Sequence, residues 1–119
     1  MSVVVLAGGL SAERDVSLRS GRRLAEALRA EGDEVLVMDL DASLLPALRA
    51  ENPDVVIPLI HGAAGEDGSL ADVLEALELP YVGSPSLACR LAFDKAIAKG
   101  IVSDHGLQVA PSYSLPHEM

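Results

Sequence analysis

Glu13, His61 and Lys95 are the side chains best placed to do chemistry, because of the residues around them. Glu13 lies in Gly8-Gly9-Leu10-Ser11-Ala12-Glu13-Arg14-Asp15, just after the apolar run Val3-Val4-Val5-Leu6. Glycines let backbone N–H groups approach a ligand, and a helix N-terminus favours negative charge. A carboxylate in that turn partly takes the place of an anionic ligand, and it suits a substrate's ammonium group. The alternative is that Ser11, Glu13 and Asp15 are caps and first-turn acids that complement the helix dipole. His61 opens a second glycine-rich turn, His61-Gly62-Ala63-Ala64-Gly65-Glu66-Asp67-Gly68. A histidine there serves either a site or the structure. Asp67 can cap the following helix and Glu66 can complement its dipole. Lys95 and Lys99 fall four apart on one helix face and, taken alone, read as a solvated pair.

These residues need elements to hold them. A short β-branched strand over residues 2–7 suits a parallel sheet covered on both faces. A helix over 15–30 follows, with Val16, Leu24 and Leu28 on one side, Gly21 inside it for close approach to the sheet, and Gly32 as its end. Residues 34–39 read as a second strand. A short helix over 44–50 is capped by Ser43 and stopped by Asn52-Pro53. A third strand over 54–60 leaves its ladder at Pro58. A helix over 69–78 comes next, then a short fourth strand and turn over 79–84, and helices over 86–93 and 94–105. Asp94 caps the last helix and Gly106 closes it, and residues 108–115 look extended. This order predicts an α/β fold, a doubly wound parallel sheet of four strands with right-handed crossovers. Ligands of such sheets bind outside the carboxyl ends of the strands. Both glycine turns follow strands, so Glu13 and His61 are expected to face one cleft.

Composition narrows the partners. The chain has 119 residues, a formal net charge of −9, no tryptophan and one cysteine. That length supports one compact domain with a real core, built here from Ala, Val and Leu. The acidic balance argues against nucleic acid and against an anionic membrane surface. Cys89 has no intrachain partner and fits a reducing compartment. No basic leader precedes the first strand and no apolar run nears membrane-spanning length, so a cytoplasmic chain is expected. Neither glycine turn is a Walker A loop or a clean dinucleotide fingerprint, and no cluster has zinc-ligand spacing.

Taken together the motifs resemble one family. Gly8-Gly9-Leu10-Ser11-Ala12-Glu13-Arg14-Asp15-Val16-Ser17-Leu18 with Ser20-Gly21 resembles the opening signature of the D-alanine–D-alanine ligases. His61-Gly62 with Gly65-Glu66-Asp67-Gly68 and Leu74-Glu75 resembles their second signature. Leu79-Pro80-Tyr81-Val82-Gly83-Ser84, then Phe93-Asp94-Lys95 and Lys99, is similar to the third. The resemblance implies a cytoplasmic ATP-grasp enzyme that uses ATP and Mg2+ to join two D-alanines for peptidoglycan, and hence for cell-wall biogenesis and cell shape. Its reaction passes through a D-alanyl phosphate, whose acyl carbon the second amine attacks.

By the same resemblance, residues 1–92 form a Rossmann-like, substrate-binding pre-ATP-grasp domain, and 93–119 open a truncated ATP-grasp domain. Glu13 would bind the ammonium of the first D-alanine, and His61 would lie near it and the reacting centre. Gly8, Gly9 and Gly62 would shape the cleft floor, and Lys95 would reach toward ATP phosphates, a point-charge role that suits lysine. Metal ligands and the remaining ATP-grasp domains would lie beyond this chain, which alone would be inactive, and a homodimer is expected. Ala71 and Asp72 stand where many members carry Gln and Gly, and Phe93 where Met is common. D-alanine–D-lactate and D-alanine–D-serine ligases share these motifs. A stand-alone, non-catalytic binding module on the same fold is the alternative from another class.

Overall fold

The computed structural model describes residues 1–113 and Leu115. Three strands, β1 (Ser2–Leu6), β2 (Glu34–Met38) and β3 (Val55–Pro58), form a parallel sheet in the order β2-β1-β3. Val3 pairs with Val35 on one side and with Val55 on the other, which sets the register of all three. The central place of β1 follows from its side chains. Val3, Val4, Val5 and Leu6 are all at most 2% exposed, so both faces of this strand must be covered.

Helices cover both. α1 (Arg14–Ala30) lies on the face of Val3, Val5 and Val35, where Ala25 is buried and Leu24 and Leu28 pack alongside. α2 (Leu44–Glu51) and α4 (Ser69–Ala76) cover the other face. There Val4, Leu6 and Val56 meet Leu44, Leu48, Leu70 and Leu74. The doubly wound α/β reading therefore holds, with corrections. The expected fourth strand is a single bridge, Val56 with Tyr81. Pro80 has no N–H to donate, and the backbone turns at Gly83, φ +145°, so the ladder cannot extend. Val16 is exposed rather than inward. The buried row of α1 is Ser17, Gly21 and Ala25, spaced by four, and Val16 is rotated about 100° from it. The second glycine turn also contains a short helix, α3 (Ala63–Glu66), that the spacing did not suggest.

The ends of the long helices follow their sequence. Asp33 N–H bonds to Leu28 O and Gly32 N–H to Arg29 O, a Schellman closure that needs the positive φ of Gly32. Asp94 Oδ1 accepts from Ile97 N–H and caps α6 (Lys95–Asp104), and Gly106 closes it in the same way as Gly32 closes α1. α5 (Ser86–Phe93) and α6 bury no residue completely, and Leu91, Ile97, Ile101 and Val102 remain partly exposed between and beside them. Residues 107–113 form neither helix nor strand, and Ser114 of the expected extended stretch lies outside the described residues.

Gly21 and Gly100 test this architecture in opposite directions. A Cβ on Gly21 would sit 2.6 Å from the Ala7 Cβ, whereas one on Gly100 meets nothing within 4 Å. Gly21→Ala should cost about 1–3 kcal/mol despite its better helix propensity. Gly100→Ala should add about 0.5–1 kcal/mol. Urea denaturation of both variants measures this; a neutral Gly21→Ala would show that α1 is not held this close to the sheet.

Candidate functional site

The first glycine turn is tied down at three points. Ser17 is fully buried, and its hydroxyl accepts from Gly8 N–H at 2.9 Å and donates to Leu59 O at 2.5 Å. This one group joins the end of β1 to the end of β3. Gly9 N–H donates to Asp39 Oδ1 at 2.8 Å, at the end of β2. Arg14 Nη1 donates to Gly9 O at 2.8 Å and pairs with Asp39 Oδ2 at 2.7 Å. The backbone can make these approaches because Gly8 and Gly9 sit at φ +110° and +83°. Partial burial pushes the Asp39 carboxyl up. The Gly9 N–H, the Arg14 guanidinium and the Leu40 N–H outweigh it, and the carboxyl titrates below its ordinary range.

The second turn lies against the first. Ser11 Oγ donates to His61 O at 3.2 Å and accepts from Glu13 N–H at 3.1 Å. Ser11 thus holds the backbone just before α1, while the Glu13 carboxylate makes no hydrogen bond or ion pair among the described residues and is exposed. Glu66 Oε2 accepts from Gly62 N–H at 2.9 Å, so this acid closes its own turn. Gly65 leaves no room for a side chain, since a Cβ there would fall 2.0 Å from Ile60 O. The Nε2 of His61 is buried and has no hydrogen-bond partner among the described residues.

Glu75 positions the opposite wall. It accepts from Tyr81 Oη at 2.7 Å, from Ser86 N–H at 3.0 Å and from Ser86 Oγ at 3.1 Å, which docks α5 on α4. The hydrogen bond to Glu75, with burial, pushes the Tyr81 phenol up to about 12. Asp72 adds an exposed ion pair to Arg90 of α5. The end of α5 and the start of α6 then stand across from the glycine turns. An open cleft of about 640 Å³ results, lined by Glu13, Gly62, Glu66, Ala92, Phe93 and Lys95.

Of the residues singled out from the sequence, Glu13, Gly62 and Lys95 share this cleft. Gly8 and Gly9 are buried and hold the turn from beneath, and His61 is half-buried next to Gly62 without lining the cleft. Sequence reasoning missed Ser17, Asp39, Arg14 and Glu75 as positioning groups. A serine on the inward row of an amphipathic helix was a signal for the first of them. Two carboxylates and one ammonium could take a small zwitterion. One lysine does not neutralise a triphosphate, so the cleft as described fits only part of ATP. Among the described residues no three His, Cys, Asp or Glu side chains are grouped to hold a metal ion.

Comparison with known proteins finds one set of relatives. The family described as "D-ala D-ala ligase N-terminus" matches residues 45–84. The D-alanine–D-alanine ligase of Anaeromyxobacter dehalogenans is 46% identical over 91% of this chain and 35% of its own length. That of Ruegeria pomeroyi is 51% identical over 92% of this chain and 36% of its own length. This chain matches the N-terminal part of the D-alanine–D-alanine ligases. It spans little more than a third of the curated relatives it resembles. Two solved ligases superpose on it. That of Bacillus anthracis, complexed with ATP, has a TM-score of 0.80 and 31% identity over 91% of this chain and 38% of its own. That of Aeromonas hydrophila has a TM-score of 0.79 and 28% identity over 97% of this chain and 50% of its own. The family match begins after the first glycine turn.

The lowered pKa of Asp39 makes the first turn acid-sensitive. A carboxyl depressed in the folded state stabilises above its unfolded pKa, and this contribution is lost as pH falls through the folded value. Asp39→Asn should therefore melt below the wild type at and above about pH 4, and the gap should close at lower pH. Thermal melts across the acid range check this; a gap independent of pH would mean that the Asp39 charge does not hold the turn.

Proposed function

We propose that this chain is the substrate-side domain of an ATP-dependent D-alanine–D-alanine ligase that works in the cytoplasm and supplies the dipeptide of peptidoglycan. The observation that carries this reading is that Glu13 and Lys95 line one cleft with Gly62 between the glycine turns. Glu13 takes the ammonium group of the first D-alanine. Its carboxylate is exposed and unpaired among the described residues, which leaves it free for a ligand. His61 orients the same substrate. A structural core histidine would have its ring nitrogens satisfied, whereas the buried Nε2 of His61 lacks a partner, a state that costs about 1–3 kcal/mol until something bonds to it. Gly8, Gly9 and Gly62 shape the turn beneath the substrate.

Lys95 gives one charge to the phosphate side. ATP, when bound, supplies the phosphoryl group that activates the first carboxylate, and its other contacts and the ligands of Mg2+ come from the parts of the ligase that this chain does not span. In this scheme residues 1–92 form the substrate domain and 93–119 the start of the ATP-grasp domain; Ser114 and residues 116–119 of that span lie outside the described residues. The enzyme works as a homodimer.

Glu13→Gln in the complete ligase tests the proposal. The change keeps shape and an acceptor oxygen and removes the charge. Losing a charge-assisted bond in a closed site should cost roughly 2–4 kcal/mol, or about 30- to 1000-fold in kcat/KM for the first D-alanine. A lowered Tm with intact kinetics would make Glu13 a helix-start acid and refute its assignment.

A further inference from the structure

Glu13 poses a problem of precision. A carboxylate that recognises a small zwitterion must be held to a fraction of an ångström, yet no hydrogen bond or ion pair among the described residues fixes it. Its position comes from the backbone of the first turn alone. That backbone is gripped by a pair absent from the cleft itself. Asp39 receives Gly9 N–H and Leu40 N–H on Oδ1, at 2.8 and 2.6 Å, and Arg14 on Oδ2. Arg14 also donates to Gly9 O, so both polar groups of the Gly9 peptide region end on one ion pair.

Gly8 gives an independent sign of the same design. A Cβ there would fall 2.5 Å from Asp39 Oδ1, so the carboxylate occupies the space that any side chain at this position would need. The Asp39 and Arg14 side chains are 28% and 44% exposed. The pair is shielded enough, and its bonds numerous enough, to outrank an isolated surface ion pair. Arg14 directly follows Glu13 in the chain, so any movement of this pair moves the carboxylate.

We propose that Arg14 and Asp39 are positioning residues, a latch across β2 and the first glycine turn that sets where Glu13 presents its carboxylate to the substrate ammonium. The proposal rests on the reading of Glu13 as the ammonium partner. Neither residue touches the substrate; their effect reaches it through Gly9 and the turn.

The test uses this chain, isotope-labelled, with Arg14→Gln, Asp39→Asn, the double variant, Arg14→Lys and a separate Glu13→Gln. Amide hydrogen exchange and the Glu13 side-chain carbonyl resonance are followed with and without D-alanine. Each single loss of charge should raise exchange at Gly9 and Glu13 by roughly tenfold or more and weaken the D-alanine response by a similar factor. The double variant should be no worse than either single one, because the latch acts as a unit. Arg14→Lys should restore much of the response, while Val4 and Val5 stay protected throughout. Loosening confined to Gly9, with Glu13 and its D-alanine response unmoved, would overturn the proposal. So would additive effects spread over the whole sheet. Glu13→Gln separates the two claims: if it keeps the D-alanine response, the ammonium reading fails, and the latch is then judged by the exchange pattern at Glu13.

Discussion

One buried hydroxyl carries much of this structure. Ser17 sits on the inward row of α1 and satisfies both its donor and its acceptor by bonding to the ends of β1 and β3. Either bond left unmade would bury an unpaired polar group, at a cost of about 1–3 kcal/mol. The serine therefore selects one arrangement, in which the two glycine turns lie side by side at the carboxyl edge of the sheet. The contact of Ser11 with His61 O depends on that alignment, and so does the meeting of Glu13 and Gly62 in one cleft. The small row of Ser17, Gly21 and Ala25 lets α1 come close enough for the hydroxyl to reach.

The cleft has a second support of a different kind. Glu75 collects three hydrogen bonds from Tyr81 and Ser86, and Gly68 brings its backbone against Ser86 O, where a Cβ would fall at 2.5 Å. These contacts hang α5 on α4 and set Phe93 and Lys95 opposite the turns. Asp72 pairs with Arg90 and adds to the same joint. One wall thus hangs on a buried hydroxyl and the other on a more exposed carboxylate. The wall that carries Lys95 buries no side chain completely and is the more weakly held.

Local chemistry was legible in the sequence, and long-range pairing was not. The glycine turns, the buried β1, the Gly32 closure and the Asp94 cap each follow from a few neighbouring residues. So does the placement of both turns at one edge, because parallel strands leave no other choice. The Arg14–Asp39 pair and the Ser17–Leu59 bond join residues far apart in the chain, and no spacing rule connects them. The fourth strand failed because an apolar run signals burial, while Pro80 denies it a donor and β3 stops at Pro58. Val16 misled because its apolar side chain stood for a face that small residues occupy. Glu66 read as a dipole acid and proved to be a clasp on Gly62 that also lines the cleft.

The central claim is that Glu13 recognises an ammonium group in the cleft between the glycine turns. Solution NMR of this chain titrated with D-alanine, and separately with propionate, tests it most directly, because propionate keeps the carboxylate and methyl group but has no nitrogen. D-alanine should move the Glu13 side-chain carbonyl and the Gly62 amide in a saturable way, and propionate should leave Glu13 in place. Equal shifts from both ligands, or a D-alanine response elsewhere with Glu13 unmoved, would contradict the account.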